Sequence, residues 1–369
     1  MDKNTRLYYK SAINLKLNPV QLEDLVVGFQ IKLGSHRYFF RGGETPFNPS
    51  SSASIATNKY CMNKRLEALG FPTPKANAFC YKQFENTTTE ALIGDLCFPL
   101  VVKPMKGTSS GEGVFCNITN HDQLKSYMEK CYQKYPFLSV EEFHGGLITY
   151  RVLIFFNKVI GVCERISARI IGDGIHTIGA LIDRYNTARE EMDDDAAPGY
   201  TVALGPIIID EEIQARLSEL QLTLDSIPQN NETVVLCYTC NSSRGGEINS
   251  LGNQICKENA QMLCSAATHL GLNIVGFDVA CENILIPIDK SRGFIIEANH
   301  DPDIVIHEHP MSGIQTLVSR KIVRRLILKH PLAYLHELCQ NKVVSFYIRI
   351  IVFISSLMTF WQIFNTLVV

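Results

Sequence analysis

The sequence predicts an α/β protein with a short α/β lead-in and a hydrophobic C-terminal helix. Three observations predict it. Apolar runs of strand length, such as Leu100-Val101-Val102 and Gly293-Phe294-Ile295-Ile296, alternate with polar stretches that carry helix start and stop signals. A glycine-rich loop directly follows the first of these runs, and three oxygen-bearing side chains cluster around the second. At 369 residues the chain is long enough for two or three subdomains with an ample core.

Residues 1–56 read as the lead-in, closed by a polar stretch from Pro49 to Ser54 that is expected as a loop. A helix is expected from about Asn58 to Leu69, stopped by Gly70 with Pro72 beyond. Residues 57–140 read as strand, glycine loop, strand, and a helix near His121 to Tyr135, and residues 141–330 as a further region that the strand-like Leu138 to Phe143 leads into. There Thr177 is a good N-cap for a long helix. The run Asp193-Asp194-Asp195, followed by Ala196 to Gly199, reads as a mobile loop, because like charges meet residues that break a helix. Residues 331–369 are the tail.

The chemistry sits at two ends of this chain. Glu297 and Asn299 are two apart in a strand and so share a face, and Asp278 lies in another apolar strand-like segment, GFDVA. Two carboxylates and an amide carbonyl, with room for waters and phosphate oxygens, suit Mg²⁺ beside a nucleotide. The alternative is a strand emerging into solvent with a polar tip. Upstream, the Leu100–Val102 strand delivers Lys103 to its end, where Pro104 cannot extend the pairing. The loop Gly107, Thr108, Ser109, Ser110, Gly111, Glu112, Gly113 then combines close backbone approach with hydroxyl donors, the composition of a phosphate cradle. No Lys-Ser or Lys-Thr follows the last glycine, which excludes a Walker loop, and the dinucleotide fingerprint is absent. Lysine, loop and acidic trio together indicate a nucleoside-triphosphate site with a metal.

These motifs, with VEEFHGG and TYRVLIF, ERISARIIGDGIHTIGALIDRYN, LDSIP, NSSRGGEIN and IIEANHDPDIVIHEHPMSG, run from about Thr57 to about Arg325. The chain resembles the ATP-grasp superfamily, in particular the ATP-grasp domain of cyanophycin synthetase and of bifunctional glutathione synthetase. The resemblance implies two lobes enclosing ATP, one or two Mg²⁺ ions (Mn²⁺ as a substitute), and a ligase joining an amino acid or short peptide to an amine through an acyl phosphate. It implies that Lys59 reaches the phosphates, unless it is an ordinary solvated lysine. Glu141 and Glu142 would border the adenine, although the acidic ribose residue of the family is replaced by Leu147-Ile148-Thr149. Arg151 and Arg165 would neutralise substrate carboxylate and phosphate, with a structural ion pair as the alternative for each. Asn241, Arg244, Gly245 and His307 would line the substrate end, with Arg244 standing where cyanophycin synthetases carry a small hydroxyl residue. A small-molecule kinase and a membrane-associated nucleotide-binding scaffold are the competing functions. The ligase partner domain of cyanophycin synthetase is not recognised in the sequence, so polymer synthesis is not expected.

A net charge of −2 and the lack of basic runs interleaved with aromatics argue against nucleic acid. Twelve scattered cysteines, with Cys237 and Cys240 the closest pair, read as buried free thiols of a reducing cytosol. MDKNTRLYYK has no signal character, so a cytoplasmic protein is expected, and a homo-oligomer. The last 20 residues contain no charge and follow Arg320, Lys321, Arg324, Arg325 and Lys329. That tail fits a membrane-crossing helix, or else an amphipathic helix burying a dimer face.

Overall fold

The computed structural model describes residues 1–22, 28–106, 112–194, 205–340 and 342–368. The chain divides into two compact units, one of residues 1–42 with 319–369 and one of residues 43–318.

Two sheets of the larger unit matter for function. The first has four antiparallel strands in the order Ala76–Cys80, Phe137–Glu142, Leu100–Pro104, Phe115–Ile118. Its apolar face, with Leu100, Val102, Ile118, Leu138 and Val140, closes over Leu124 and Met128 of the helix His121–Tyr132, which Asn120 caps. Full burial of such side chains stabilises by roughly 1.5–3 kcal/mol each, which holds this sheet and helix together. The second sheet has six strands in the order Gly293–Asn299, Ile274–Cys281, Ile148–Phe155, Val159–Ile166, Glu247–Gly252, Ser312–Ile314, all antiparallel except the last pair. Every residue of Ile274–Cys281 is buried, as a central strand covered on both faces must be. A third apolar cluster joins the strand pair Arg169–Ile171 and Thr233–Val235 to the helices Ile178–Asp194 and Glu211–Glu219.

The mixed α/β architecture and the C-terminal apolar helix, Lys342–Val368, are as the sequence predicts. The helix expected after Asn58 spans Lys59–Glu67; Asn58 accepts from the Cys61 amide, and Gly70 takes φ +78° beyond its end. Thr177 Oγ1 accepts from the Ala180 amide at the start of Ile178–Asp194. The stretch expected as a loop is instead the helix Ser50–Thr57. Pro49 supplies an extended N-cap, Thr57 Oγ1 donates back to the Ala53 carbonyl, and Ala56 is buried, so packing overrides the serines' weak preference. Asp193 and Asp194 end a helix rather than open a loop, and Asp195 to Gly199 lie outside the described residues.

The smaller unit holds the helix Lys3–Asn14, capped by Asp2, and a sheet of Val20–Gln21, Phe29–Leu33 and His36–Phe40. Residues from Ser319 onward pack with it: Ser11 and Ser319 hydroxyls are 2.7 Å apart, and Tyr334 donates to the Leu15 carbonyl. Chain order alone does not reveal that grouping.

Candidate functional site

A cavity of about 880 Å³ in the larger unit is lined by Lys59 of the helix Lys59–Glu67 and by residues of both large sheets, among them Lys103, Glu141, Arg151, Asp278, Glu297 and Asn299. Its floor is a ladder across the six-stranded sheet. Asp278 on Ile274–Cys281 stands opposite Arg151 on one neighbouring strand and Glu297 on the other, and Gly276 stands opposite Asn299. The missing side chain at Gly276 is needed, since a Cβ there would come within 2.9 Å of Arg151 Cδ. Between Asp278 and Val279 the register shifts, leaving Ile296 as an extra residue before Glu297. The bulge re-aims the strand: Phe294 and Ile296 face the cavity before it, and Glu297 and Asn299 face the cavity after it.

Charges on this floor are matched. Arg151 grips Asp278 with two donors, the Nη2–Oδ2 bond being 3.1 Å, and Arg165 Nη1 donates to the same Oδ2 at 2.8 Å. Burial opposes ionisation of Asp278, but the two guanidiniums outweigh it and hold its pKa below the ordinary 3.8. Burial likewise disfavours the charged form of Arg151, and the Asp278 carboxylate overrides that and raises its pKa. Lys59, the first residue of its helix, lies 3.5 Å from Glu297. Lys103 is buried at the end of its strand and pairs with Glu141 at 2.7 Å; Ser139 Oγ donates to the same carboxylate at 3.0 Å.

Glu297 and Asn299 share one face two residues apart, and the Asn299 amide nitrogen donates to the Gly276 carbonyl at 3.3 Å, so one carboxylate and one amide oxygen are offered to a hard divalent cation. Asp278 faces Glu297 across the strand pair, but both of its oxygens accept from Arg151 and Arg165 and would join a metal only by giving up part of that clamp. Among the described residues no group of three or more His, Cys, Asp or Glu could hold a metal alone. The cavity lining also has apolar side chains, Val101, Val114 and Phe143 together with Phe294 and Ile296 of the Glu297 strand, the kind of surface that suits a flat base. The Glu142 and Phe143 amides already donate to Lys75 and Pro99 carbonyls, and the Glu142 carboxylate accepts from the Cys97 amide. Carbonyl oxygens are therefore what this segment has to offer.

Of the predicted loop, Gly107, Ser109, Ser110 and Gly111 lie outside the described residues. Gly113 takes φ +71° and abuts Pro104 and Tyr135, where a Cβ would come within 3.0 Å. At the predicted substrate end the structure brings Asn241 to the cavity but not Arg244, Gly245 or His307. Arg244 turns to Asp210 and Glu212. Gly245, at φ +88°, is a turn whose carbonyl accepts from the buried Arg189 at 2.7 Å. His307 is fully buried, 3.1 Å from Cys163 Sγ, and packs on Gly161, where no side chain would fit.

Sequence reasoning missed several wall residues. Tyr238 receives donors from Asn117 and Arg216 at 3.1 and 2.7 Å, and Arg216 lies over its ring at 4.7 Å. Its neighbours Cys237 and Cys240, which the sequence marks only as the closest cysteine pair, also line the cavity. Burial pushes the Cys237 thiol up to about 12, which keeps it an inert thiol. The expectation of buried thiols fails for Cys61, Cys97 and Cys339, which are exposed. Asp301 and Asp303, in the DPD that continues the acidic motif, reach the cavity too, and the Asp303 carboxylate is among the charges that raise the pKa of Arg151.

No family model matches the chain. Cyanophycin synthetase of Crocosphaera subtropica is 29% identical over 300 residues, which is 80% of this chain and 33% of that protein. The bifunctional glutathione biosynthesis protein of Pasteurella multocida is 25% identical over 310 residues, 80% of this chain and 39% of that protein. The chain thus spans about a third of the length of the curated relatives it matches. The crystal structure of the Pasteurella multocida bifunctional glutathione synthetase superposes with a TM-score of 0.59 at 22% identity, over 89% of this chain and 44% of that one.

Proposed function

Because the chain has the ATP-grasp fold, we propose that it is a cytoplasmic ATP-dependent ligase joining the carboxylate of an amino acid or short peptide to an amine through an acyl phosphate. The observation that carries this reading is the presence of Lys59, Lys103, Asp278, Glu297 and Asn299 on the wall of one cavity. In it, the triphosphate would be held by two ammonium groups placed in different ways, Lys103 by burial at a strand end and Lys59 by its place at a helix start. Glu297, Asn299 and Asp278 would hold Mg²⁺, which when bound neutralises charge gathering on the transferred phosphoryl oxygens.

Little covalent chemistry is asked of the protein in such a transfer, so its task is to position and neutralise. The guanidinium groups of Arg151 and Arg165, aligned along the floor, are suited to pair with the acid being activated and with the phosphoryl group passing to it. Asp301 and Asp303 offer acceptors to the ammonium form of the incoming amine before it loses its proton. The apolar side chains of the cavity lining would take the adenine. No side chain of the cavity is required as a covalent nucleophile, because the phosphate itself activates the acid.

Release of ADP, followed while amino acids are offered singly and in pairs, tests the proposal. Sustained release is expected only when an acid and an amine are both present. Sustained release with a single substrate and no amine requirement would replace ligation by simple phosphorylation of a small molecule.

A further inference from the structure

The helix Lys342–Val368 holds no buried side chain among those described. Phe346, Ile351, Phe353, Phe360 and Trp361 are each 60% to 70% exposed, and the five consecutive residues Ile350 to Ile354 are all exposed and apolar. Five consecutive residues go once and more around a helix. A helix that docks on a soluble partner covers one stripe and leaves a polar face outward along its length, whereas the stretch Ile350 to Ile354 is apolar on every side and needs an apolar solvent, with Ser355, Thr359 and Gln362 forming a polar stripe only in the last turns.

Length and polar chemistry agree with a bilayer as that solvent. Ser345–Asn365 is 21 residues with a mean hydropathy of 1.6; at the helical rise it is about 31 Å long, close to the ~30 Å of a hydrocarbon core. Ser356 and Thr359 would be costly in lipid if unsatisfied, but each hydroxyl donates to the carbonyl four residues back, at 2.9 Å. Tyr347 and Trp361 lie near the two ends of the segment, where amphipathic rings meet headgroups. Charge sets the direction. Arg320, Lys321, Arg324, Arg325, Lys329 and Lys342 precede the segment, and Glu337 is the sole acidic residue among them. Arg349, one turn inside, has a stem long enough to return its charge to that same surface.

We propose that Ser345–Asn365 crosses a lipid bilayer once, with the preceding residues, and so the cavity-bearing unit, on the side of the anionic leaflet that attracts the basic cluster. The proposal does not rest on the ligase reading. It places the ATP-grasp fold at a membrane surface, where its substrates would be delivered or its products consumed.

Trp361 is the only tryptophan and therefore a direct reporter. The full chain would be synthesised in the presence of sealed phosphatidylcholine vesicles containing phosphatidylglycerol. We expect it to float with the vesicles after an alkaline carbonate wash, and Trp361 fluorescence to be quenched by iodide enclosed in the lumen but not by iodide added outside. The double substitution Ile354→Lys with Leu357→Lys should lower the floating fraction by about tenfold or more. Three results would overturn the proposal: full-length protein left in the dense fraction as a discrete oligomer, flotation abolished by carbonate, or quenching of Trp361 from outside. Equal flotation of wild type and double variant would overturn it as well.

Discussion

The two ends of the cavity are built differently. At the end proposed for the phosphates, Arg151, Asp278, Glu297 and Asn299 sit on three paired strands, and backbone register decides where each side chain points. At the end proposed for the substrate, the short 3₁₀ turn Ser242–Arg244 lies between Asn241 and Gly245, and Arg189 donates to the carbonyls of Ser242, Gly245 and Gly246. A strand commits every second side chain to the cavity, whereas a turn commits none in advance. Asn241 reaches the cavity and Arg244, three residues away, turns back to Asp210 and Glu212.

If the strand-borne end holds the metal, the largest loss should come from its outermost carboxylate. Glu297→Gln keeps the shape of the side chain but removes the charge and turns one acceptor oxygen into an NH₂ donor, and Mg²⁺-dependent ADP formation should fall by about 10³-fold or more. Circular dichroism and the urea midpoint should stay near wild type, because Glu297 is partly exposed and its ion pair with Lys59 is long at 3.5 Å. Unchanged ADP formation would contradict the assignment of this end.

Lys103 comes next, and its two tasks can be separated. Lys103→Met removes a phosphate contact and strands Glu141, which is only 2% exposed. A loss of about 3–5 kcal/mol in urea unfolding is expected from the orphaned charge, with a rise of about 10²-fold in the KM for ATP. Adding Glu141→Gln should recover much of the stability and none of the ATP affinity. Recovery of both would reduce Lys103 to a structural residue.

The sequence shows the same division. Alternation and helix signals located the strands and helices that carry Lys59, Lys103, Asp278 and Glu297, because those signals act within a few residues. The bulge at Ile296 is not visible that way; it arises from pairing with Ile274–Cys281 and switches the cavity face from Phe294 and Ile296 to Glu297 and Asn299. The pairing of Glu297 with Asn299 was legible only because both follow the bulge. Tyr238 and Arg216 escaped notice because their meeting with Asn117 joins residues far apart in sequence. Helix Ser50–Thr57 was mistaken for a loop because serine-rich composition says nothing of a tertiary partner for Ala56.

The arginine clamp on Asp278 carries a pH signature that sharpens the contrast. Its carboxyl is held below 3.8 in the folded chain, so the unfolded chain takes up a proton first as pH falls. The stability it supplies is complete above the unfolded pKa and disappears as pH drops through the depressed native value. Urea midpoints followed from about pH 6 to about pH 3 should therefore fall more steeply for wild type than for Asp278→Asn. Parallel curves would mean that the guanidiniums do not hold this carboxylate in solution.

The smallest effect is expected at the turn-borne end, and it is the sharpest test of the comparison. Arg244 resembles a substrate ligand by motif position, yet its guanidinium meets Asp210 and lies 3.7 Å from Glu212. Glu212 does not depend on it, since that carboxylate also accepts from the Tyr238 and Thr239 amides and the Thr239 hydroxyl. Arg244→Ser should therefore change kcat/KM by less than about threefold and stability by no more than about 1 kcal/mol, the range of a partly exposed ion pair. Asn241→Ala, one turn away but on the cavity wall, should raise the KM for one substrate more than Arg244→Ser does. A tenfold or larger KM effect from Arg244→Ser would show that this turn rearranges when substrate binds, and that motif position predicts contact better than the side-chain direction recorded here.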